Sequence, residues 1–326
     1  IINNEPSVNI RQKFYEQFVK PYLVHVPDNY LLITLYDCAY MAWRLKVSPC
    51  DIRSAQLVEW MLAQIASQDE ELCTALLIAV QEATFDTSKR SESAERNVYN
   101  AKESGNVERI LSYLVRQYKV YFDNEFRLWS ASAYYYICRA YGLKTEGTTP
   151  ESFVHIGADV KFHVLKNIKA ALPLGHPNDL LLGFDNEIRN AGEGHDRWNI
   201  SDRDTLVFNL RNPKTGLSKG QVQIELSRSD LEGMITQCRK SIWIFQMGHL
   251  LFAVNNPRVS QKLVRTSLPK LRELRMMMEA FAKDRWFSVM ELTVDGDRSH
   301  VNIELQYAPK LIGEGGQLLF SSGEKY

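Results

Sequence analysis

The sequence Val107-Glu-Arg-Ile-Leu-Ser-Tyr-Leu-Val-Arg-Gln-Tyr118 carries a strong helical pattern. Its apolar side chains follow the spacing i, i+3, i+4, i+7, i+8 and i+11, which places them on one face of an α-helix. They are Val107, Ile110, Leu111, Leu114, Val115 and Tyr118. The pattern resumes through Phe126, Trp129, Ala133, Tyr136 and Ile137, and it stops near Gly142. This stretch predicts a long helical block and a mainly α fold.

Helical spacing also fills the N-terminal part of the chain. The predicted helices cover residues 11–22, 30–45, 52–66 and 70–80. Between Thr84 and Asn106 the composition changes to Ser, Glu, Lys, Asn and Arg, with few apolar residues. We interpret this polar stretch as a loop or a domain boundary.

Two more helices are predicted after the central block. Thr149-Pro150 is a helix start, because a threonine hydroxyl caps the helix and proline suits the first helical position. This helix should continue to about Leu172, and a second one should run from near Asn178 through Ile188.

The apolar period changes from about 3.6 to 2 near Thr205, which predicts strands. Residues 205–211 and 222–226 should form a β-hairpin with a long loop. Ser229 and Glu232 then form a capping box that should open a helix to about Val254. The last part of the chain alternates over 288–294, 300–307 and 318–320, which predicts a small antiparallel β element.

Composition excludes several classes of protein. The chain has 39 basic and 39 acidic side chains, so it is not a polycation that coats nucleic acid by bulk attraction. Its five cysteines form no C-x-x-C pair, which argues against a disulfide framework and favours a reducing compartment. No apolar run is long enough to cross a bilayer. These features predict a soluble cytoplasmic protein.

Common catalytic and cofactor motifs are absent from the sequence. It has no Walker loop, no dinucleotide-binding glycine pattern, no H-E-x-x-H and no G-x-S-x-G. The seven histidines show no compact metal-binding spacing. We therefore expect neither a metal nor a cofactor, and we interpret His249 as a hydrogen-bonded core histidine.

The candidate site lies in the segment Phe184-Asp-Asn-Glu-Ile-Arg-Asn-Ala-Gly-Glu-Gly-His-Asp196. His195 can exchange a proton near neutral pH, as attack on a phosphodiester requires. Arg189 can clamp a phosphate, and Asn190 can orient the histidine or donate to the phosphate. A simpler interpretation is a salt bridge from Arg189 to Asp185 or Glu193, with His195 capping the turn.

The string R-N-x-x-x-x-H, formed by Arg189, Asn190 and His195, resembles the hallmark of the HEPN superfamily. The resemblance covers roughly residues 106–256, where the motif follows two long predicted helices. It implies a HEPN-like helical bundle that dimerises, so that two copies of the motif meet in one cleft. It also implies a metal-independent RNA endonuclease, in which the ribose 2′-hydroxyl attacks the phosphate and leaves a cyclic phosphate.

The resemblance implies roles for the three residues and a biological setting. His195 would be the base or acid, Arg189 the phosphate clamp and Asn190 the orienting group. Glu187 and Asp196 would tune the pKa of His195 or contact a second copy, unless they are solvated helix-end charges. The setting would be an antiviral-defence or toxin effector. The alternative is a non-catalytic HEPN-like module that holds or senses a protein partner.

A basic segment offers a surface for RNA. Residues 258–285 carry eight basic and three acidic side chains, and such a helix can follow phosphates. The candidate RNA contacts are Arg258, Lys262, Arg265, Arg272 and Arg275. The same face could instead pair with acidic residues of this chain or of a partner.

Charge is unevenly distributed along the chain. Residues 51–100 have a net charge of −5 and residues 201–285 a net charge of +7. This segregation suggests that the acidic segment masks the RNA surface until activation. We predict three regions: helices over 1–105, a HEPN-like bundle with a hairpin over 106–256, and basic helices with strands over 257–326.

Overall fold

A computed structural model describes residues 8–25, 27, 29–143, 149–192, 198–201, 204–211, 218–267, 287–294 and 301–307. The described chain is mainly helical and carries a small antiparallel sheet, which confirms the predicted mainly α class. The long helices are α1 (Val8–Phe18), α2 (Asn29–Arg44), α3 (Pro49–Gln68), α4 (Glu70–Ser104), α5 (Val107–Val120) and α11 (Arg228–Asn255). The shorter ones are α6 (Arg127–Trp129), α7 (Ala131–Ala140), α8 (Pro150–His155), α9 (Ala158–Asn167), α10 (Asn186–Ala191) and α12 (Pro257–Ser267).

Helix α11 is largely buried and packs closely against α3. A Cβ atom added at Gly248 would lie 2.5 Å from Val58 Cβ and 2.6 Å from the Ala55 carbonyl oxygen. Only glycine therefore allows the two backbones to approach this closely. The indole of Trp243 in α11 donates a hydrogen bond to the Cys38 carbonyl at 2.9 Å, which joins α11 to α2.

The β structure agrees with the predicted hairpin and with the predicted C-terminal strands. Strands β2 (Thr205–Arg211) and β3 (Ser218–Ser227) pair antiparallel, and β1 (Trp198–Ile200) adds a third strand beside β2. Strands β4 (Phe287–Val294) and β5 (Val301–Tyr307) form a separate antiparallel pair. The predicted strand over 318–320 lies outside the described residues.

The prediction of a loop between Thr84 and Asn106 is wrong. This stretch is the second half of α4, a helix of 35 residues that ends at Gly105 in the left-handed conformation (φ 67°). Its buried face repeats at helical spacing but is built from small or polar side chains, so it lacks the usual apolar signal. The buried residues are Thr87, Ser91, Ala94, Val98 and Ala101.

Two predicted helices are shorter than expected. The helix that begins at Thr149-Pro150 stops at His155, and α9 begins after a break at Ile156-Gly157 and ends at Asn167. The segment predicted to be helical from Asn178 begins with the 3₁₀ turn Pro177–Leu180. It then turns at Gly183 (φ 74°) before α10 begins.

The predicted capping box at the start of α11 is displaced by two residues. Ser227 caps the helix, and its side chain and that of Asp230 bond each other's backbone N–H groups. Glu232 instead pairs with Lys102 of α4 at 2.8 Å and with Arg228 at 3.2 Å.

The described chain divides into two compact units, Ile1–Ser260 and Gln261–Tyr326. The first two of the three predicted regions lie in the first unit. No described helix is long and apolar enough to span a bilayer.

Candidate functional site

The segment that carries Arg189 is seated by an aromatic cluster. Phe184 is buried against Phe126, with ring centroids 4.7 Å apart, and meets Phe122 edge-on at 5.4 Å. Both partners belong to a π-helical turn, Tyr121–Phe126, between α5 and α6. Such turns are rare inside helices and are frequent at functional sites. The cluster fixes the chain immediately before α10.

A buried tyrosine holds the same turn by hydrogen bonds. The Tyr118 hydroxyl accepts a bond from the Asp185 N–H at 2.6 Å and lies 3.1–3.2 Å from the carbonyls of Gly183 and Asp185. Burial raises the pKa of Tyr118 well above its usual value, so its proton remains available for donation. At Gly183 a Cβ atom would lie 2.4 Å from the Met234 carbonyl oxygen, so the turn packs directly on α11.

Helix α10 is short, and its two ends are fixed differently. The Asp185 carboxylate caps its start by accepting from the N–H groups of Glu187 (2.7 Å) and Ile188 (3.1 Å). Its end packs on α5, because a Cβ atom at Gly192 would lie 3.2 Å from Val115 Cγ1. Gly192 is therefore a packing residue.

Arg189 is held by a carboxylate from the π-helical turn. Its Nε donates to Asp123 Oδ1 at 2.8 Å, and its Nη1 donates to Asn190 Oδ1 at 2.7 Å. The side chains of Arg189 and Asp123 are 19% and 23% exposed, so the pair lies at the edge of the solvent. Asp185, one of the two partners considered from the sequence, serves as the helix cap instead. The guanidinium is thus fixed in direction and partly accessible.

A histidine of α9 lies beside this helix. Asn186 Nδ2 is 3.2 Å from Nε2 of His163, an exposed residue of α9. Because Asn186 and Asn190 are four residues apart, they share one face of α10. His163 was not among the candidates, and no spacing in the sequence links it to Arg189.

The other predicted site residues are only partly described. Glu187 is exposed in the first turn of α10. His195 and Asp196 lie outside the described residues. The structure therefore brings Arg189 and Asn190 together and leaves the third member of the predicted motif undescribed.

The predicted RNA contacts lie on or after α12. Arg258 and Lys262 are exposed and four residues apart, so they share one helix face. Arg265 lies in the same helix, but its side chain is outside the described residues. Arg272 and Arg275 are outside them altogether.

His249 is a core residue, as predicted. Its Nε2 lies 2.7 Å from the Ser132 hydroxyl, and burial lowers its pKa to about 3. Its ring contacts Trp129, whose indole donates to the buried Glu125 carboxylate at 3.1 Å.

Within the described ranges, no group of three His, Cys, Asp or Glu side chains could hold a metal ion.

The sequence interpretation missed Asp123 and Tyr118. Tyr118 was counted as one more apolar residue of the α5 face, and its hydroxyl partners are 65 and 67 residues away. Asp123 falls in the interval where the apolar pattern stops after Tyr118 and resumes at Phe126. This interruption of the apolar pattern is the sequence signal that could have indicated the π-helical turn, because such a turn changes which residues fall on the buried face of the helix.

Comparison with known proteins gives no relative for this chain. No protein-family model, no curated protein and no solved structure matches it significantly.

Proposed function

We propose that this protein is a metal-independent RNA endonuclease of the HEPN type, with a site built around Arg189. The observation that supports the proposal most is the fixed, partly exposed guanidinium at the end of α10, held by Asp123 at 2.8 Å. A guanidinium with a fixed direction costs little reorganisation when phosphate charge develops in the transition state. Residue 189 is also the arginine of the R-N-x-x-x-x-H motif.

The proposed reaction uses this chain's residues in separate roles. Arg189 stabilises the phosphate, and Asn190 holds the Arg189 guanidinium by accepting from Nη1. His195 removes the proton from the ribose 2′-hydroxyl or protonates the leaving 5′-oxygen. The 2′-oxygen displaces the 5′-oxygen, so the products are a 2′,3′-cyclic phosphate and a 5′-hydroxyl.

The test is RNA cleavage in EDTA by wild type, Arg189→Ala and His195→Ala. We expect each variant to lose about a hundredfold or more in rate, since a charge clamp and a proton-transfer group each contribute on that scale. Arg116→Ala, an arginine of α5 that packs on Tyr113, is the matched control. Equal cleavage by all four proteins, or cleavage abolished in wild type by EDTA, contradicts the mechanism.

His163→Ala belongs in the same experiment. His163 is the described histidine beside α10, whereas His195 is the histidine of the motif. Loss of activity in His163→Ala with normal activity in His195→Ala would assign the proton transfer to α9 instead. The proposal expects the reverse.

One observation favours a non-catalytic role. Nε and Nη1 of Arg189 are both used within the chain, as in an arginine that only stabilises the fold. In that case the bundle would hold or sense a protein partner. Arg189→Ala would then lower the free energy of unfolding while RNA remained intact with every variant.

A further inference from the structure

Three stacked aromatic rings lie at the end of α2, and Trp43 is the exposed one, whereas Phe14 and Tyr40 are half-buried. The ring of Trp43 lies 5.4 Å from that of Phe14 in α1 and 5.8 Å from that of Tyr40, and both interplanar angles are 24°. Trp43 is 50% exposed, although a large aromatic side chain would normally bury more of its surface. About half of the Trp43 surface is therefore accessible to a further flat ring, although Phe14 and Tyr40 already contact the indole.

Two cations border these rings. The Arg44 guanidinium lies 5.9 Å from the centroid of the Tyr40 ring, and Lys46 follows two residues later. Among the described residues neither cation forms an ion pair. Both line an open groove of about 510 Å³, and none of the described residues that line it is acidic. The groove residues are Phe18, Ala42, Trp43, Arg44, Lys46 and Val47.

Lys46 occupies a backbone conformation that favours glycine. Its φ is 51°, and it ends α2 with two bonds, from the Lys46 N–H to the Trp43 carbonyl (3.1 Å) and from the Val47 N–H to the Ala42 carbonyl (2.9 Å). Helices commonly place glycine at this position, because a side chain is strained there. The chain therefore carries a cation beside Trp43 at a position where glycine would fit better.

We propose that this aromatic–basic patch, formed by Phe14, Tyr40, Trp43, Arg44 and Lys46, binds single-stranded nucleic acid. Exposed aromatic faces stack on unpaired bases, and neighbouring unpaired cations attract the phosphates between them. A protein partner would need acidic groups for Arg44 and Lys46, whereas a nucleic acid supplies one charge per nucleotide. The inference rests on the proposed function only in naming RNA as the natural strand.

The test is binding of a fluorescein-labelled 2′-O-methyl oligouridylate of about 12 nucleotides to the full-length chain. The methyl group blocks attack by the 2′-oxygen, so the probe reports binding whether or not the protein cleaves RNA. A duplex of the same length is the comparison, because its bases are already stacked. We expect clear binding of the single strand and weaker binding of the duplex.

Variants separate the two parts of the patch. Trp43→Ala should weaken binding about tenfold by removing the stacking surface, whereas Trp43→Phe should retain most of the affinity. Lys46→Gly should weaken binding and lower the slope of log affinity against log salt by about 0.7, the value for one phosphate contact on a single strand. Trp43→Ala should leave that slope unchanged.

Stability measurements distinguish binding from folding. Lys46→Gly relieves the left-handed strain, so its melting temperature should equal or exceed that of wild type while its affinity falls. Lys46→Arg should retain the affinity, and Tyr99→Ala, which removes a 45% exposed aromatic residue from α4, should leave it unchanged.

Several results would overturn the inference. The first is that wild type does not bind the probe. The second is that wild type, Trp43→Ala and Lys46→Gly bind the probe with equal affinity. The third is that wild type binds the single strand and the duplex equally well. Self-association that Trp43→Ala abolishes without changing probe affinity would assign the patch to a protein interface. Patch-dependent probe binding without any RNA cleavage would support this inference while contradicting the proposed nuclease.

Discussion

The carboxylate of Asp123 determines the direction of the Arg189 guanidinium. It accepts from Nε, while Nη1 donates to the side-chain oxygen of Asn190. This pair lies between the fully exposed and fully buried extremes, so its contribution to stability is modest and its effect on orientation is the larger one. The two effects can be separated experimentally.

Replacing Asp123 by asparagine should slow RNA cleavage about tenfold, equivalent to ~1.4 kcal/mol, because a neutral amide oxygen holds the guanidinium in its direction less firmly than a carboxylate does. The free energy of unfolding should fall by only about 1 kcal/mol. Both quantities are measurable on the same preparation, by single-turnover cleavage and by urea denaturation. The control is Asp86→Asn, which changes an exposed acid of α4 that forms no ion pair with any described residue. Normal cleavage by Asp123→Asn would show that Asp123 has no role in the proposed site.

His249 makes stability depend on pH. Burial lowers its folded-state pKa from 6.5 to about 3, so the unfolded chain binds one more proton between these values. Stability therefore falls as pH drops from about 6.5 toward 3, by up to ~1.4 kcal/mol per pH unit for this residue. The loss is absent above the unfolded pKa, where both states are neutral.

His249→Gln should remove this contribution and preserve a polar partner for Ser132. We expect the variant to lose less stability than wild type between pH 7 and pH 5, as measured by urea denaturation at both values. Comparing the two proteins cancels the titration of other buried groups, such as Glu125, whose pKa burial raises. Parallel pH curves for the two proteins would show that His249 does not titrate on unfolding.

At the scale of elements, the sequence predicts helices where their buried face is made of large apolar side chains. Residues 107–118 show this, since Ile110, Leu111 and Leu114 form a buried stripe in the structure as in the sequence. The second half of α4 has an equally regular stripe, but its members include Thr87, Ser91 and Ala101. Hydropathy cannot recognise such a face, although Gly105 is a typical residue to follow the end of a helix.

The candidate site, too, can be predicted from the sequence only in part. The chemistry of Arg189 is visible in the sequence, because arginine and asparagine followed by histidine suggest phosphate chemistry. The groups that position it cannot be read from the sequence. Asp123, which accepts from Arg189, and Tyr118, which bonds Gly183 and Asp185, lie more than 60 residues before their partners. Helix α10 itself has six residues and depends on Asp185, Phe184 and Gly192 for its position.

The close contact between α3 and α11 should be sensitive to a single methyl group. Gly248→Ala should lower the free energy of unfolding by ~1–3 kcal/mol, because the added Cβ would overlap Val58 and the Ala55 carbonyl. Gly233→Ala in the same helix should instead stabilise by about 0.5–1 kcal/mol, since no atom lies within 4 Å of its added Cβ. Chemical denaturation of both variants tests the pair. Similar effects of the two substitutions would mean that α11 does not pack on α3 at Gly248.

At the scale of the whole molecule, some acidic residues of 51–100 pair with basic residues of 201–285 inside the first unit. Asp51 in the acidic segment pairs with Lys240 at 3.4 Å, and Glu95 pairs with Arg239 at 3.5 Å. These ion pairs join α3 and α4 to α11, and they involve none of the residues 258–285. Masking of the basic segment by acidic residues therefore stays a prediction for Arg258, Lys262 and the residues beyond them.

The proposed dimer makes a prediction that belongs to the assembly. If two copies of the motif meet in one cleft, Arg189→Ala and His195→Ala homodimers each lack one type of group, whereas a mixed dimer retains one arginine and one histidine. Co-refolding the two inactive variants should therefore restore part of the RNA cleavage, in proportion to the mixed dimers formed. A double variant, Arg189→Ala with His195→Ala, mixed with inactive single variants provides the background. Complete inactivity of the mixture, with mixed dimers demonstrated by differently tagged chains, would show that one motif cannot complement the other across the cleft.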